Sequence, residues 1–299
     1  MKTLTVFTPA YNRAATLPRT YESLVRQTCQ DFEWLVVDDG STDGTRELVH
    51  GWMAEGRIPI RYIWQENQGM HGAHNTAYRN IDTELNICID SDDFMPDDAV
   101  EKILRLWRER GGNRYCGIVG LDVDMQGRVI GTPLPAGRDE ITLRTFYEEL
   151  GGQGDKKQAY RTDLVRQFPP YPLFEGEKYF GLGWLYYQIE ETHPLLVLNE
   201  PLVVVDYQDT GSSRSMWRQW WNNPMGFAYL RRYEMRATHS WKRRLVCHTH
   251  YVSHSLRSCD RRFLQTSPQP LLTLACLLPG AALFLLNYYK VRSNARYGG

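Results

Sequence analysis

Three carboxylates stand at the end of one apolar run, Ile87-Cys88-Ile89-Asp90-Ser91-Asp92-Asp93. Like charges gathered at a strand end repel unless a cation neutralises them. An oxygen-only set selects a hard ion, Mg²⁺ or Mn²⁺, that keeps positions open for a diphosphate. Without a cation the same residues are a solvated acidic turn ahead of the helix expected from Pro96. A second run, Asp38-Asp39-Gly40-Ser41-Thr42-Asp43, follows a hydrophobic strand and opens a helix capped by Ser41 or Thr42. A carboxylate there can accept paired hydrogen bonds from a uracil edge or a ribose; read alone, the turn is simply a capped helix start.

The elements that must position these residues follow from periodicity. Short β-branched runs at Leu4 to Thr8, Phe32 to Val37, Ile60 to Trp64 and Leu85 to Ile89 alternate with helical patterns at Leu17 to Gln27, Thr42 to Met53, Gly72 to Asn80 and Pro96 to Arg110. That alternation predicts an α/β fold with a largely parallel sheet. Each strand ends in a polar cluster: Pro9-Ala10-Tyr11-Asn12-Arg13, Asp38 to Ser41, Glu66-Asn67-Gln68-Gly69, and Asp90 to Asp93. Ligands of open α/β sheets bind outside the carboxyl ends of the strands, so the four clusters should converge on one crevice. Further on, strands are expected at Gly117 to Val123, Arg128 to Ile130 and Leu195 to Tyr207, and helices at Leu143 to Leu150 and Tyr179 to Glu191. Gly151 to Lys157 reads as a loop, and Tyr207 to Ser213 as a polar turn able to fold over a ligand as a lid.

The formal net charge is zero, with 35 basic and 35 acidic residues, and gives no expectation of a nucleic-acid partner. The balance is uneven: from Arg214 onward fourteen Lys/Arg face two acids, Glu234 and Asp260. An acidic front suits a divalent cation and a basic back suits a surface facing phosphates. Two domains are expected, 1–213 catalytic and 214–299 a basic helical extension. Within the extension, Leu271 to Tyr289 carries no charge over nineteen residues and has basic flanks. Pro279-Gly280 interrupts it, so two short helices lying in a membrane interface are expected, with a buried helical hairpin as the alternative. Six scattered cysteines without zinc-type spacing read as free thiols. The N-terminus lacks a signal-peptide pattern, so a cytoplasmic protein, peripheral on the inner face of the cell membrane, is the expectation.

Taken together, Phe7-Thr8-Pro9-Ala10-Tyr11-Asn12, Val37-Asp38-Asp39-Gly40-Ser41-Thr42-Asp43, Glu66-Asn67-Gln68-Gly69 with His74-Asn75, and Asp90-Ser91-Asp92-Asp93 resemble the motifs of family 2 glycosyltransferases, the large inverting group. The resemblance covers about residues 3 to 207. It implies the GT-A nucleotide-diphospho-sugar transferase fold, a Rossmann-like mixed sheet flanked by helices. It also implies transfer of sugar from a nucleotide sugar, a UDP sugar first, to an acceptor hydroxyl, and without the ordered motif and multiple membrane spans of processive synthases a single sugar per encounter is expected. Carried over, it places Pro9, Tyr11, Asn12 and Asp39 in the nucleotide pocket and Asn67, Gly69, His74 and Asn75 along the donor. Asp90 and Ser91 fall on the ribose or sugar side, and Asp92, with Asp93 as alternative, holds the metal. Either His71 or His74 is a candidate for the diphosphate, the alternative being a histidine that caps or packs at the helix start.

Inverting transfer needs a base on the acceptor side, because the incoming hydroxyl attacks opposite the departing diphosphate. The family's acidic motif ahead of a later helix matches Phe174-Glu175-Gly176-Glu177-Lys178, which gives Glu177 as the base and Glu175 as second choice; the family often has Glu-Asp where this chain has Glu177-Lys178. Trp217-Arg218-Gln219-Trp220-Trp221 has the wrong order for the motif of processive synthases. The acceptor expected is a glycan or a lipid-linked saccharide of surface polysaccharide synthesis, a polyprenyl phosphate being the main variant. A sugar-nucleotide pyrophosphorylase would need a glycine-rich basic loop where Pro9 to Arg13 stand. The non-enzymatic alternative is a carbohydrate-binding scaffold.

Overall fold

A computed structural model of the 299-residue chain describes residues 2–206 and 216–297. The chain divides into two compact units, one of residues 1–171 and 185–207, the other of 172–184 and 208–299. The expected boundary at 213/214 therefore misses one exchange: the segment carrying Glu175 and Glu177 belongs to the C-terminal unit. The expected lid, Tyr207 to Ser213, lies outside the described residues.

In the first unit β1 (Leu4–Ala10), α1 (Leu17–Val25), β2 (Phe32–Asp38), α2 (Thr45–Glu55), β3 (Ile60–Trp64), α3 (Met70–Asn80), β4 (Leu85–Cys88) and α4 (Ala99–Arg110) alternate as expected. They are followed by β5 (Gly117–Val123), β6 (Glu140–Ile141), a π-helical turn at Thr145–Glu149, β7 (Lys156–Arg161), α5 (Thr162–Val165), α6 (Gly183–Glu190) and β8 (Leu195–Val204). One eight-stranded mixed sheet results, ordered β3-β2-β1-β4-β7-β5-β8-β6. β3, β2, β1 and β4 are parallel, β7 runs antiparallel to both β4 and β5, and β8 returns parallel to β5. Helices cover the parallel strands, so residues on both faces of β1 and β2 are buried and their sequences read as continuous apolar runs. At the centre of one layer Tyr21 stacks on Trp52 at 4.3 Å, and buried Trp34 donates its indole N–H to Thr8 Oγ1 at 3.0 Å.

Two expectations are corrected. Arg128 to Ile130 forms only an isolated bridge, Val123 with Val129. The expected loop through Lys157 instead enters β7, whose lysines hide it: buried Lys156 spends its ammonium on the carbonyls of Ile130, Gln153 and Asp155.

Buried Glu190 on α6 accepts from Tyr160 Oη at 2.7 Å and from the Leu143 N–H. Burial, opposed by those two bonds, pushes its carboxyl from 4.5 up to about 7. The folded chain thus keeps a proton that the unfolded chain releases near 4.5, so stability should fall as pH rises from about 4.5 to 7 and level off above, by on the order of 3 kcal/mol. Glu190→Gln can keep both contacts, because a tyrosine hydroxyl also accepts. Denaturant midpoints measured across pH 4.5 to 7.5 should show that decline flattened in the variant; an unchanged slope would remove Glu190 as its cause.

The second unit is helical: α7 (Met216–Asn222), α8 (Pro224–Ala237), α9 (Trp241–Arg257), α10 (Phe263–Thr266), α11 (Pro270–Ala275) and α12 (Leu277–Tyr297). The break expected at Pro279-Gly280 falls instead at Cys276. Pro279 sits in the first turn of α12, where a missing N–H costs little, and the helix runs on. Gly280 lets α12 approach α9: a Cβ there would lie 2.4 Å from Val252 Cβ. All six cysteines are free. No helix among the described residues is long and apolar enough to cross a membrane.

Candidate functional site

The registers Ala10 with Asp38, Asp38 with Trp64, and Phe7 with Cys88 end four parallel neighbours at one edge. At the usual strand spacing those ends lie within about 15 Å. Polar side chains tie the connecting loops together. Asn12, in the left-handed region at φ 54°, accepts the Thr42 N–H at 2.8 Å, while its own N–H donates to Ser41 Oγ at 2.9 Å. Asp38 accepts from the Ser41 N–H and Tyr62 Oη. Gly40, at φ 84°, turns the chain so tightly that a Cβ would lie 3.0 Å from the Asn67 nitrogen. Buried Asp39 then reaches across: Oδ1 accepts from Gln65 Nε2 at 2.6 Å and the Gln68 N–H at 2.8 Å, and Oδ2 from the Gly69 N–H at 2.8 Å. Asp39 thereby fixes the 65–69 loop that starts α3. Pro9 is half-buried and Tyr11 half-exposed on the same edge.

At the end of β4, Asp90 and Asp92 are half-buried while Ser91 and Asp93 are buried. The loop is gripped by α1: Arg19 bonds the Asp92 carbonyl and Asp206, Thr20 Oγ1 donates to the Asp93 carbonyl at 2.7 Å, and Gln27 joins the Pro96 carbonyl to the Val100 N–H. Burial pushes the Asp93 carboxyl up to about 7, with Asp90, Asp92 and Asp122 adding repulsion and Lys157 opposing it. An acid excess of this kind suits a divalent cation. Among the described residues no three His, Cys, Asp or Glu side chains gather closely enough to hold a metal alone. An ion here would take one or two carboxylates and complete its shell from a ligand.

A family model described as glycosyl transferase family 2 matches residues 5–168, more than half of the chain. The chain belongs to glycosyl transferase family 2. Curated relatives include the chondroitin synthase of Escherichia coli, 34% identical over 127 residues (42% of this chain, 18% of that protein). The validoxylamine A glucosyltransferase of Streptomyces hygroscopicus subsp. jinggangensis is 40% identical over 105 residues (34% and 24%). The putative teichuronic acid biosynthesis glycosyltransferase TuaG of Bacillus subtilis is 34% identical over 108 residues (36% and 42%). Each match spans less than half of the relative's own length. Among solved structures, TarS 1–349 of S. aureus in complex with UDP-GlcNAc superposes with a TM-score of 0.63 at 18% identity, covering 100% of this chain and 92% of that one. The mannosyltransferase PcManGT of Pyrobaculum calidifontis in complex with GDP-Man and Mn²⁺ gives 0.56 at 18% identity, covering 99% and 80%. These two likenesses carry the GT-A fold.

Within this family-2 domain, two of the expected donor-lining residues are buried. His74 is fully buried, edge-on to Phe7, Tyr78 and Tyr171, with Nδ1 3.2 Å from Tyr78 Oη. Burial lowers its pKa to about 3, so the ring stays neutral. Buried Asn75 clamps Tyr171, donating to its carbonyl and accepting its N–H, each at 2.8 Å. Asn67 is half-buried, Gly69 buried at φ 82°, and His71 buried at the start of α3.

In the second unit Glu175 is exposed and Glu177 buried. Glu177 precedes α6, as expected, yet its carboxylate serves α8: Oε1 accepts from the Met225 N–H and Oε2 from the Gly226 N–H, both at 2.7 Å. Burial raises its pKa against those two bonds and Arg257.

Sequence reasoning missed Arg19, Gln27, Asp122 and Lys157. The polar set Arg19, Thr20, Ser23 and Gln27, at helical spacing along α1 and just past its end, was the available signal for the first two. A lysine pair followed by alternating Ala159 and Arg161 was the faint signal for Lys157.

Proposed function

We propose that the chain is an inverting glycosyltransferase that moves one sugar from a nucleotide sugar, a UDP sugar first, to a hydroxyl of a glycan or lipid-linked acceptor. The observation that carries this is the meeting of Asp39 and the Asp90–Asp93 loop at one edge of a family-2 sheet. Pro9, Tyr11 and Asp39 border the nucleotide, and Asp90 and Ser91 the ribose and sugar. Asp92, with Asp93 as alternative, would hold Mg²⁺ or Mn²⁺, whose contribution is positive charge against the leaving diphosphate. Glu177 takes the acceptor proton, with Glu175 as the second choice. The sugars in the neighbours' complexes, and the glycan products named for chondroitin synthase and TuaG, support the donor and acceptor classes. UDP titrated with Mn²⁺ should bind at least about tenfold more tightly than UDP alone, followed by a screen of UDP, GDP and dTDP sugars. No nucleotide affinity under either condition would return the chain to the scaffold reading.

For the acceptor side, α11 and α12 expose Leu271, Leu274, Leu278, Leu285, Leu286 and Tyr289, with exposed Arg261, Arg262, Lys290 and Arg292 at the margins of the segment. Apolar side chains at helical spacing beside cations suit the interface of an anionic bilayer, and we place the protein on the inner face of the cell membrane. Leu278→Glu with Leu286→Glu should cut sedimentation with phosphatidylglycerol vesicles about tenfold or more while leaving UDP affinity intact. Equal sedimentation of variant and wild type would remove the membrane from this reading.

A further inference from the structure

Lys157 stands on β7 between the strand that delivers Asp90 and the strand that delivers Asp122. Ala159 pairs with Ile87, so antiparallel register carries Lys157 past the end of β4 to the level of Ile89, next to Asp90. On the other side Lys157 pairs with Gly120, two residues from Asp122 and within diagonal reach of a long side chain. The β5–β8 register shifts between Leu121 and Asp122, a bulge of the sort that re-aims side chains near sites.

The resulting group has unused hydrogen-bonding capacity. Lys157 Nζ lies 3.9 Å from Asp90 Oδ2 and makes no hydrogen bond to a described residue, although its side chain is only 13% exposed. An ammonium has three donors and no acceptor. Asp122, 2% exposed, leaves Oδ1 without a partner. Asp90 faces outward, its side chain 40% exposed. A desolvated ammonium beside a carboxylate that faces solvent presents a donor and an acceptor side by side, and the charge of buried Asp122 offsets its own. A sugar hydroxyl is the complementary group, accepting from one and donating to the other. A bare phosphate would gain the ammonium but meet the carboxylates.

We propose that Lys157 is a donor-sugar residue: its ammonium donates to a hydroxyl of the sugar to be transferred while Asp90 accepts from the same sugar. This rests on the donor reading of the crevice. It assigns Lys157 to the sugar and not to the base or the diphosphate, so UDP serves as the internal control. With Mn²⁺ present, wild-type protein should bind UDP-glucose or UDP-N-acetylglucosamine more tightly than UDP. Lys157→Met should lose about tenfold or more of the affinity for that UDP sugar and stay within about threefold for UDP, and Lys157→Arg should recover part of the loss. Asp122→Asn, which removes a buried charge that favours the ammonium, should move the sugar affinity in the same direction by less. Equal losses for UDP and UDP sugar in Lys157→Met, no loss for either, or a wild type indifferent to the sugar would each overturn the proposal. A wild type without UDP affinity would overturn the donor reading beneath it.

Discussion

Asp92→Ala is expected to lower the transfer rate by about a thousandfold or more, to abolish the Mn²⁺ enhancement of UDP binding, and to leave metal-free UDP affinity within about threefold. The pattern follows from what the side chain does and does not touch. The loop around Asp92 is secured through its backbone, by Arg19 on the Asp92 carbonyl and Thr20 on the Asp93 carbonyl. The Asp92 carboxylate itself is half-buried and makes no hydrogen bond to a described residue. Truncation should therefore cost less than about 0.5 kcal/mol of stability. Asp93 makes the contrast: its buried carboxylate accepts the Asp206 N–H at 3.3 Å, so Asp93→Ala should damage folding as well as binding. Isothermal titration of UDP with and without Mn²⁺, alongside urea melts, separates the two. Retention of the Mn²⁺ effect in Asp92→Ala together with its loss in Asp93→Ala would move the metal by one residue; retention in both would remove it from this loop.

How legible the protein was follows from which elements bury apolar and which bury charged residues. β1 and β2 could be drawn because helices cover both faces, leaving runs such as Leu35-Val36-Val37 with nothing polar to blur them. β7 could not, because Lys156 and Lys157 look like loop residues until the Ile130 carbonyl and the Asp90 carboxylate are brought beside them. The candidate site divides in the same way. Carboxylates at strand ends announce themselves, since a strand otherwise has no reason to finish in Asp90, Asp92 and Asp93. The groups that hold them do not: Arg19 and Gln27 lie in or just after a helix more than sixty residues earlier in the sequence, and Lys157, which offsets their charge, on a strand more than sixty residues later. The resemblance set His74 and Asn75 along the donor, and in the fold both are buried against Tyr78 and Tyr171. Pro279 misled for a local reason, being harmless in a first helical turn.

Glu177→Gln is expected to preserve UDP affinity while reducing transfer by about a hundredfold to ten-thousandfold, the range a positioned base supplies. The structure sharpens the test, because Glu177 has a second occupation. With one oxygen on the Met225 N–H and the other on the Gly226 N–H, it caps α8, and losing one of those acceptors should cost about 1 kcal/mol of stability. Each carboxylate oxygen keeps a further lone pair for an acceptor hydroxyl, so capping and proton abstraction are compatible. They also differ in what they predict. Burial raises the Glu177 pKa, which moves the acid limb of the rate profile upward: transfer should rise with pH through that limb, and the residual activity of the glutamine variant should lack it. Glu175→Gln, at an exposed position, should leave limb and rate unchanged. If Glu177→Gln melts earlier yet transfers sugar within a few-fold of wild type with the limb intact, Glu177 is a cap alone. The base must then be sought at another carboxylate, beginning with Glu175, because Lys178, where the family often places an aspartate, cannot accept the proton while it is charged.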